Sequence, residues 1–405
     1  MATETTGQAR LAVLVCVAGV LSMSGFSAYP ALLPMLRAAW SMSATEAGFV
    51  GGAFFFGYIL AVPFLSGMTD RVDARSVFAA SCLLAAAGTT GFAAFARGAA
   101  TGAFFQALTG AGLAGTYMPG LKLLTDRASA SHQSRTVAFY TASFGVGTSL
   151  SFALAGWFAS VLPWRQAFGA LACGPVLALA LVMLRIKPFA PAGAGQSGSW
   201  SNLGTVLRNA DVRRFVLGYA VHCWELFGLR SWQVAFIAYA GSASASICPW
   251  LKNTDAAALI NLFGLPASVL GNELAGRLGR MRWIAAVMAC AGVLSWLTAL
   301  STPAPWWIVL PLLTTYVVCA MGDSAALTAG LVAAAPASQR GTALAVYSLF
   351  GFGAGFLAPM VFGAALDATG GGLAGWTVAF ATLSAGGLLW AVRFSAKSAV
   401  QGQVK

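Results

Sequence analysis

The chain has 405 residues, of which 59% are hydrophobic and 8% charged, with a mean hydropathy of +0.78 and a formal net charge of +12. So few charges cannot cover a water-soluble fold of this length, and so much apolar side chain excludes a disordered chain. The basic residues sit in short gaps between apolar runs, which reads as membrane topology rather than nucleic-acid binding, and the composition describes an all-α integral membrane protein.

A helix needs about 20 mostly apolar residues to cross a bilayer. In chain order, twelve segments meet that need, at roughly 11–36, 45–67, 74–96, 99–124, 136–161, 166–184, 215–240, 254–272, 282–300, 305–330, 341–365 and 374–394. The first has only Arg10 ahead of it, runs too long for a signal peptide and lacks a small-x-small site, so it is expected to stay uncleaved. Pro30, Pro63, Pro119, Pro266 and Pro359 fall inside spans, where proline is tolerated and marks kinks. The gap after the sixth span opens Ile186-Lys187-Pro188 and continues through a Gly/Ala/Ser/Pro-rich stretch, which is linker chemistry. Trp200, Leu203, Val206 and Leu207 then fall at helical spacing, and both a short interfacial helix and a plain loop fit them. The expected division is an N-terminal six-helix half over 1–184, a cytoplasmic linker over 185–214, and a C-terminal six-helix half over 215–405.

Orientation follows from Lys and Arg. With both termini inside, eighteen of the 23 basic residues fall in cytoplasmic segments, while Arg37, Arg97, Arg165 and Lys252 fall outside and Arg230 lies within a span. This bias obeys the positive-inside rule and places the protein in the cytoplasmic membrane with cytoplasmic termini. An internal repeat agrees with the six-plus-six division. Gln133 through Gly147 aligns with Gln339 through Gly353 at offset 206, with matches at Gln, Thr, Phe, Gly and Gly. The same offset pairs Asp70-Arg71-Val72 with Gly276-Arg277-Leu278, and offset 212 pairs Trp164 through Phe168 with Trp376 through Phe380. Ordered self-similarity of this kind is the trace of a duplicated unit.

Ionisable groups inside spans are costly and mark function. The seventh span carries His222, Glu225, Arg230 and Gln233. At about 100° per residue, His222, Glu225 and Gln233 share a sector of about 80°, with Arg230 about 60° beyond Gln233. That face is expected to line a cavity, or else to form a buried ion pair with another helix. Glu225 and Arg230 are five apart, a poor spacing for a pair within one helix. The tenth span carries Asp323, which matches Tyr117 of the fourth span at offset 206. Both are expected to face the centre from opposite halves. Lys122, near the inner end of the fourth span, is open to two readings, a cavity residue or a snorkelling one. Asn261 and Tyr29 fit helix packing equally well.

Twelve spans, the central linker and the turn Ser66-Gly67-Met68-Thr69-Asp70-Arg71-Val72-Asp73-Ala74-Arg75 resemble the major facilitator superfamily, over essentially the whole chain. The family's signature there is Gly-x-x-x-Asp-Arg-x-Gly-Arg-Arg. Asp70, Arg71 and Arg75 match it, while Ser66, Asp73 and Ala74 depart from it. The resemblance implies an ion-pair latch between conformations, assigned to Asp70, Arg71 and Arg75. In the second-half copy Arg277 and Arg280 take that role, with Gly276 in place of the Asp. The other reading is that these charges only enforce topology. Two family motifs are degraded. The Arg of the span-four Arg-x-x-x-Gly is Gln106, and the span-five Gly-Pro-x-x-Gly reads Gly145-Val146-Gly147-Thr148-Ser149. Both departures weaken a typical drug–proton antiporter reading.

The resulting expectation is a secondary active transporter working by alternating access, with a midplane site. Its cargo is a small organic solute, by preference anionic or zwitterionic, and the transport is proton-coupled. Glu225 leads as proton carrier with Asp323 second, Arg230 attracts an anionic group, and His222 either relays protons or packs. A drug/proton antiporter is the alternative, and a non-transporting solute sensor is the alternative of another class. There is no P-loop, H-E-x-x-H, G-x-S-x-G or acidic metal cluster, so neither an enzyme nor an ATP-driven pump is expected, and no cofactor or metal. The seven Cys are scattered without C-x-x-C spacing. The bilayer, the solute and a proton are the expected partners, and a monomer is the expected state.

Overall fold

Apolar runs in this chain fold as helices because lipid cannot hydrogen-bond a backbone, and a helix satisfies its own. The computed structural model describes residues 2–69, 71–127, 130–189, 203–336 and 339–402. Sixteen helices follow one another among them: α1 (Ala2–Ser22), α2 (Ala28–Ala39), α3 (Ala44–Met68), α4 (Ala74–Phe95), α5 (Ala99–Thr125), α6 (Ala130–Val161), α7 (Trp164–Leu171), α8 (Cys173–Arg185), α9 (Leu203–Arg208), α10 (Ala210–Ala243), α11 (Asn253–Leu278), α12 (Arg280–Leu300), α13 (Trp306–Met321), α14 (Ser324–Ala334), α15 (Arg340–Ala368) and α16 (Gly372–Gly402). Each of the twelve expected segments is helical over most of its length. Among the described residues, nine are long and apolar enough to cross a membrane by length and composition. The other three are the α1–α2 pair, α5, and α10 with its four polar side chains.

Three expected spans are each two helices. The first breaks at Met23–Ser27, the sixth at Ala172 and the tenth at Gly322–Asp323. The first break frees main-chain groups that buried serines take up. Ser151 Oγ donates to Ser24 O at 2.7 Å and accepts from Ser27 N at 2.8 Å, while Ser24 Oγ donates to Leu171 O at 2.6 Å. At the tenth break, Trp283 Nε1 donates to Gly322 O at 2.9 Å. Of the four basic residues expected outside the cytoplasmic segments, Arg165 has a structural reason. Its guanidinium donates to Ala93 O at 2.8 Å and Ala96 O at 2.9 Å, closing the C-terminal end of α4.

The chain forms two compact units, Met1–Leu32 with Ala53–Ser197, and Leu33–Gly52 with Gly198–Lys405. In the first, Phe78, Cys82, Leu123, Tyr140 and Val182 share one buried core. In the second, Val216, Met288, Leu327, Val346 and Trp390 share another. The start of α3 belongs to the second unit and is capped twice. Ser43 and Glu46 form a reciprocal capping box, with Ser43 N donating to Glu46 Oε2 at 2.9 Å and Glu46 N to Ser43 Oγ at 3.1 Å. Asp367, near the end of α15, accepts from Ala44 N at 2.9 Å and Thr45 N at 2.7 Å. Of the expected linker, α9 is helical and Val206 on it is buried. Trp200 lies outside the described residues. Asn209 Oδ1 then accepts from Asp211 N at 3.0 Å and starts α10.

Small residues let the helices approach in lipid, where van der Waals contact replaces the hydrophobic drive. The α4–α5 pair shows this best, since a Cβ on Gly112 would run into the Ala85 backbone and one on Gly115 into the Ser81 side chain. Gly112→Leu should therefore destabilise the first unit, overpacking a tight core by about 1–3 kcal/mol. Gly169→Ala, with open space around it, should not. Thermal unfolding of the two detergent-solubilised variants against wild type checks the pair.

Candidate substrate and coupling site

Four helices of the second unit bring the seventh-span residues their partners. The side chains of α10 are buried over most of its length, and His222, Glu225, Arg230 and Gln233 are all buried, Gln233 completely at 0% exposure. Arg230 Nε donates to Asn261 Oδ1 of α11 at 2.8 Å, and its Nη2 lies 3.8 Å from Met321 Sδ of α13. Asn261 Nδ2 donates onward to Gln233 Oε1 at 2.8 Å and to Ala257 O at 2.8 Å. One asparagine thus ties together two residues of α10 that stand one helical turn apart. Gln233 Nε2 is left with no hydrogen-bond partner. No carboxylate pairs with Arg230 among the described residues.

Glu225 has a different neighbourhood. Tyr316 of α13 donates its hydroxyl to Glu225 Oε1 at 2.9 Å, and no cation pairs with that carboxylate among the described residues. His222 meets Asp323 at the α13–α14 break, with Nδ1 and Oδ1 2.7 Å apart and both side chains 3% exposed. The distance is that of an ion pair, yet the contact lacks the alignment of a hydrogen bond and leaves Asp323 Oδ1 without a hydrogen-bond partner. Around this row, Tyr219 stacks on Tyr347 at 3.7 Å between ring centroids, and Trp232 Nε1 donates to Pro359 O at 2.9 Å. The rings and helix α15 hold α10 in place. Asn261, Tyr316 and Met321 are the members that sequence reasoning missed or left as packing. A lone Asn in the apolar run of α11 was the available signal.

Of the remaining candidates, Tyr117, Lys122, Gln106 and the residues of the turn after α3 lie in the first unit, and Arg277 and Arg280 in the second. Tyr117 stacks on Tyr140 at 5.7 Å. Lys122 pairs with Asp126 one turn on, at 3.3 Å, near the end of α5. Gln106 is buried on the same helix. At the family-like turn, Asp70 lies outside the described residues and Arg71 is exposed. Arg75 donates from Nη2 to Met183 O at 2.6 Å, at the C-terminal end of α8. The acid that organises the described part of this turn is Asp73, one of the departures from the family pattern. Its Oδ1 accepts from Arg75 N at 3.0 Å as the N-cap of α4 and lies 3.5 Å from Arg127 Nη2, and its Oδ2 accepts from Phe189 N at 2.9 Å. The Arg127 guanidinium covers the Phe189 ring at 4.7 Å. In the second unit Arg280 donates to Asn272 Oδ1 at 3.0 Å and Ala326 O at 2.9 Å, while Arg277 is exposed.

A sequence model of the Major Facilitator Superfamily matches residues 15–359. No curated protein matches the chain. Among solved structures, a bacterial homologue of the human lysosomal transporter Spinster, inward-facing and unoccupied, is similar with a TM-score of 0.75 at 15% identity, covering 96% of this chain and 95% of that one. The POT family transporter PepTSo gives 0.75 at 14% identity over 98% and 99%. The nucleoside transporter NupG gives 0.73 at 14% identity over 95% and 98%. At these identities the likeness is one of fold.

The Asp73 contacts generate a graded expectation. Asp73→Asn keeps a capping acceptor and loses the charge facing Arg127, whereas Asp73→Ala loses both. Losing the cap costs about 1 kcal/mol, so the melting temperature should fall in the order wild type, Asn, Ala, measured by thermal unfolding in detergent. Equal melting of the Asn and Ala variants would mean the capping contact adds nothing.

Proposed function

The chain belongs to the major facilitator superfamily and is a multi-pass membrane protein that carries a small solute by secondary transport, and from that premise we propose that it moves a small organic anion or zwitterion across the cytoplasmic membrane by alternating access, coupled to protons. The observation that carries this reading is Arg230. A guanidinium stays charged under all ordinary conditions, and burying it without a counter-charge costs several kcal/mol. Arg230 is 8% exposed and held by Asn261 and Met321, neither of them acidic. A carboxylate or phosphate on the solute would supply the missing charge through the bidentate fork that arginine offers. The break between α13 and α14, with Asp323 at it, supports the same reading, because broken helices line the solute sites of many transporters.

Glu225 is the proposed proton carrier. It is buried, its described partner is a neutral hydroxyl, and no cation pairs with it among the described residues. Asp323, in contact with His222, is the second choice. The excess of Lys and Arg in alternate loops supports cytoplasmic termini. At the turn after α3, the proposed latch includes Asp73 with Arg75 and Arg127 beside Asp70 and Arg71.

Two measurements test the assignment. In a screen of organic acids read by solute-dependent acidification of proteoliposomes, Arg230→Gln should weaken binding of the best solute by about 30-fold or more, the loss expected when a buried charge pair is broken. Arg230→Lys should bind at an intermediate level, and Asn261→Ala should also weaken binding because it frees the guanidinium to reorient. Equal binding by all four proteins would remove Arg230 from the site. In the second measurement, Glu225→Gln should still exchange labelled solute in counterflow with no gradient, yet fail to accumulate it when a pH gradient is imposed. Accumulation retained in Glu225→Gln would transfer the proton to Asp323.

A further inference from the structure

Glu225 and Arg230 stand on one helix yet have different neighbours. Glu225 Oε1 accepts from the Tyr316 hydroxyl of α13 at 2.9 Å, and a Cβ on Gly387 of α16 would stand 3.9 Å from its Oε2. Ser295 of α12 lies beside the same hydroxyl and donates to Phe380 O of α16 at 3.0 Å. The Arg230 guanidinium instead meets Asn261 of α11 and Met321 of α13. Among the described residues, α13 is the one helix that gives both groups a polar partner. Those partners, Tyr316 and Met321, are five residues apart in one helical segment.

That segment is bounded by two weak points. Pro311 removes a main-chain donor near the start of α13, and the helix stops at Gly322. Trp283 Nε1 holds Gly322 O at 2.9 Å, which fixes the end of α13 along its axis and leaves rotation about it. A hydrogen bond to a carboxylate is roughly twice as strong as one between neutral groups. Charged Glu225 therefore grips Tyr316, and a proton on its second oxygen loosens the grip. The other titratable groups near this carboxylate are Cys319 of α13, Asp323 at the helix break, and His222 and Cys223 on α10 itself. The charged residues of α11, α12, α15 and α16 lie toward the ends of those helices.

We propose that Tyr316 is the positioning residue that couples the two sites. Charged Glu225 draws on Tyr316 and holds α13 with Met321 against the Arg230 guanidinium. Protonation of Glu225 lets α13 turn, and Arg230 is bared for an anion. The arrangement seen, with the Tyr316 and Met321 contacts both made, is the capped state. The proposal rests on Glu225 as proton carrier and Arg230 as anion site, and it adds the link between them and its direction. Coupling of this kind is reciprocal, so the anion also favours the proton, and the two bind together.

The test labels the purified full-length protein with phenylglyoxal, which reacts with accessible guanidinium groups. Peptide mass spectrometry reads Arg230 as a ratio to Arg97, which is exposed, so the reagent's own response to pH cancels. At alkaline pH the ratio should rise about ten-fold in Tyr316→Phe, which keeps the ring and removes the hydroxyl, and equally in Glu225→Gln. The double variant should rise no further, because both changes act on one bond. Thr315→Ala, whose hydroxyl bonds Pro311 O at 2.8 Å on the exposed side of α13, should match wild type. In wild type the ratio should climb about ten-fold from alkaline to acidic pH, while in Tyr316→Phe it stays high throughout. A rise in Glu225→Gln with none in Tyr316→Phe would overturn the inference and leave Glu225 as carrier by another route. An unchanged ratio in both variants would overturn it whatever the transport assays show. If the variants do not fold, a flat wild-type ratio across pH overturns it alone. Labelling as expected without solute accumulation would keep the link and refute proton-coupled transport.

Discussion

Backbone polar groups inside a bilayer have no water to turn to, and several helix interruptions among the described residues are answered by side chains brought from elsewhere in the fold. The break between α1 and α2 is answered by Ser151 and by Ser24 itself, which reaches Leu171 O. The exposed end of α4 is closed by Arg165, and that of α8 by Arg75. The start of α3 is met by its own capping box and by Asp367 from the far end of α15. Apart from the capping box, these contacts link residues at least 69 positions apart, so they fix tertiary arrangement as well as local structure.

Against that near-complete satisfaction, the buried polar atoms left over stand out. They include Gln233 Nε2, Asp323 Oδ1 and Trp390 Nε1. Buried polar atoms are usually paired, and each exception needs a reason. Two belong to the row around α10, where a solute and a proton are proposed to come and go. A site that must release its cargo cannot have all its donors and acceptors satisfied by the protein itself. The third belongs to Trp390, which is packed in the core of the second unit. Ser81, Ser149 and Thr298 each contribute one more unpaired hydroxyl, and a hydroxyl is the least costly of these groups to leave so.

Much of this architecture was legible in the sequence. Membrane helices announce themselves by length and apolarity, and ionisable groups in such runs are rare enough to be conspicuous, which is how His222, Glu225, Arg230 and Asp323 came forward. Their partners were less visible. Tyr316 and Asn261 are neutral, and one polar residue per span is ordinary, so only three-dimensional proximity separates them from packing residues. The break at Gly322–Asp323 has no proline to mark it. Asp73 reads first as a fault in a family motif, although an Asp directly before a helical run is also an N-cap signal. That second signal was the one that mattered for its contacts.

The basic residues show why Arg230 differs in kind. Arg75, Arg127 and Arg165 give N–H groups to main-chain carbonyls in the last turns of helices, where partial negative charge gathers, and Arg280 gives one to Ala326 O. They serve the fold. Arg230 sits well inside α10, donates to no main-chain carbonyl among the described residues, and directs two of its five N–H groups to Asn261 and Met321. Asn261 is itself held by Ala257 O and Gln233, so the guanidinium is oriented by a side chain that cannot swing freely. An orientation fixed in this way, with donors left over and no counter-charge, adds nothing to a stable fold that an apolar residue could not supply better. That supports the proposal that the partner of the charge arrives from outside.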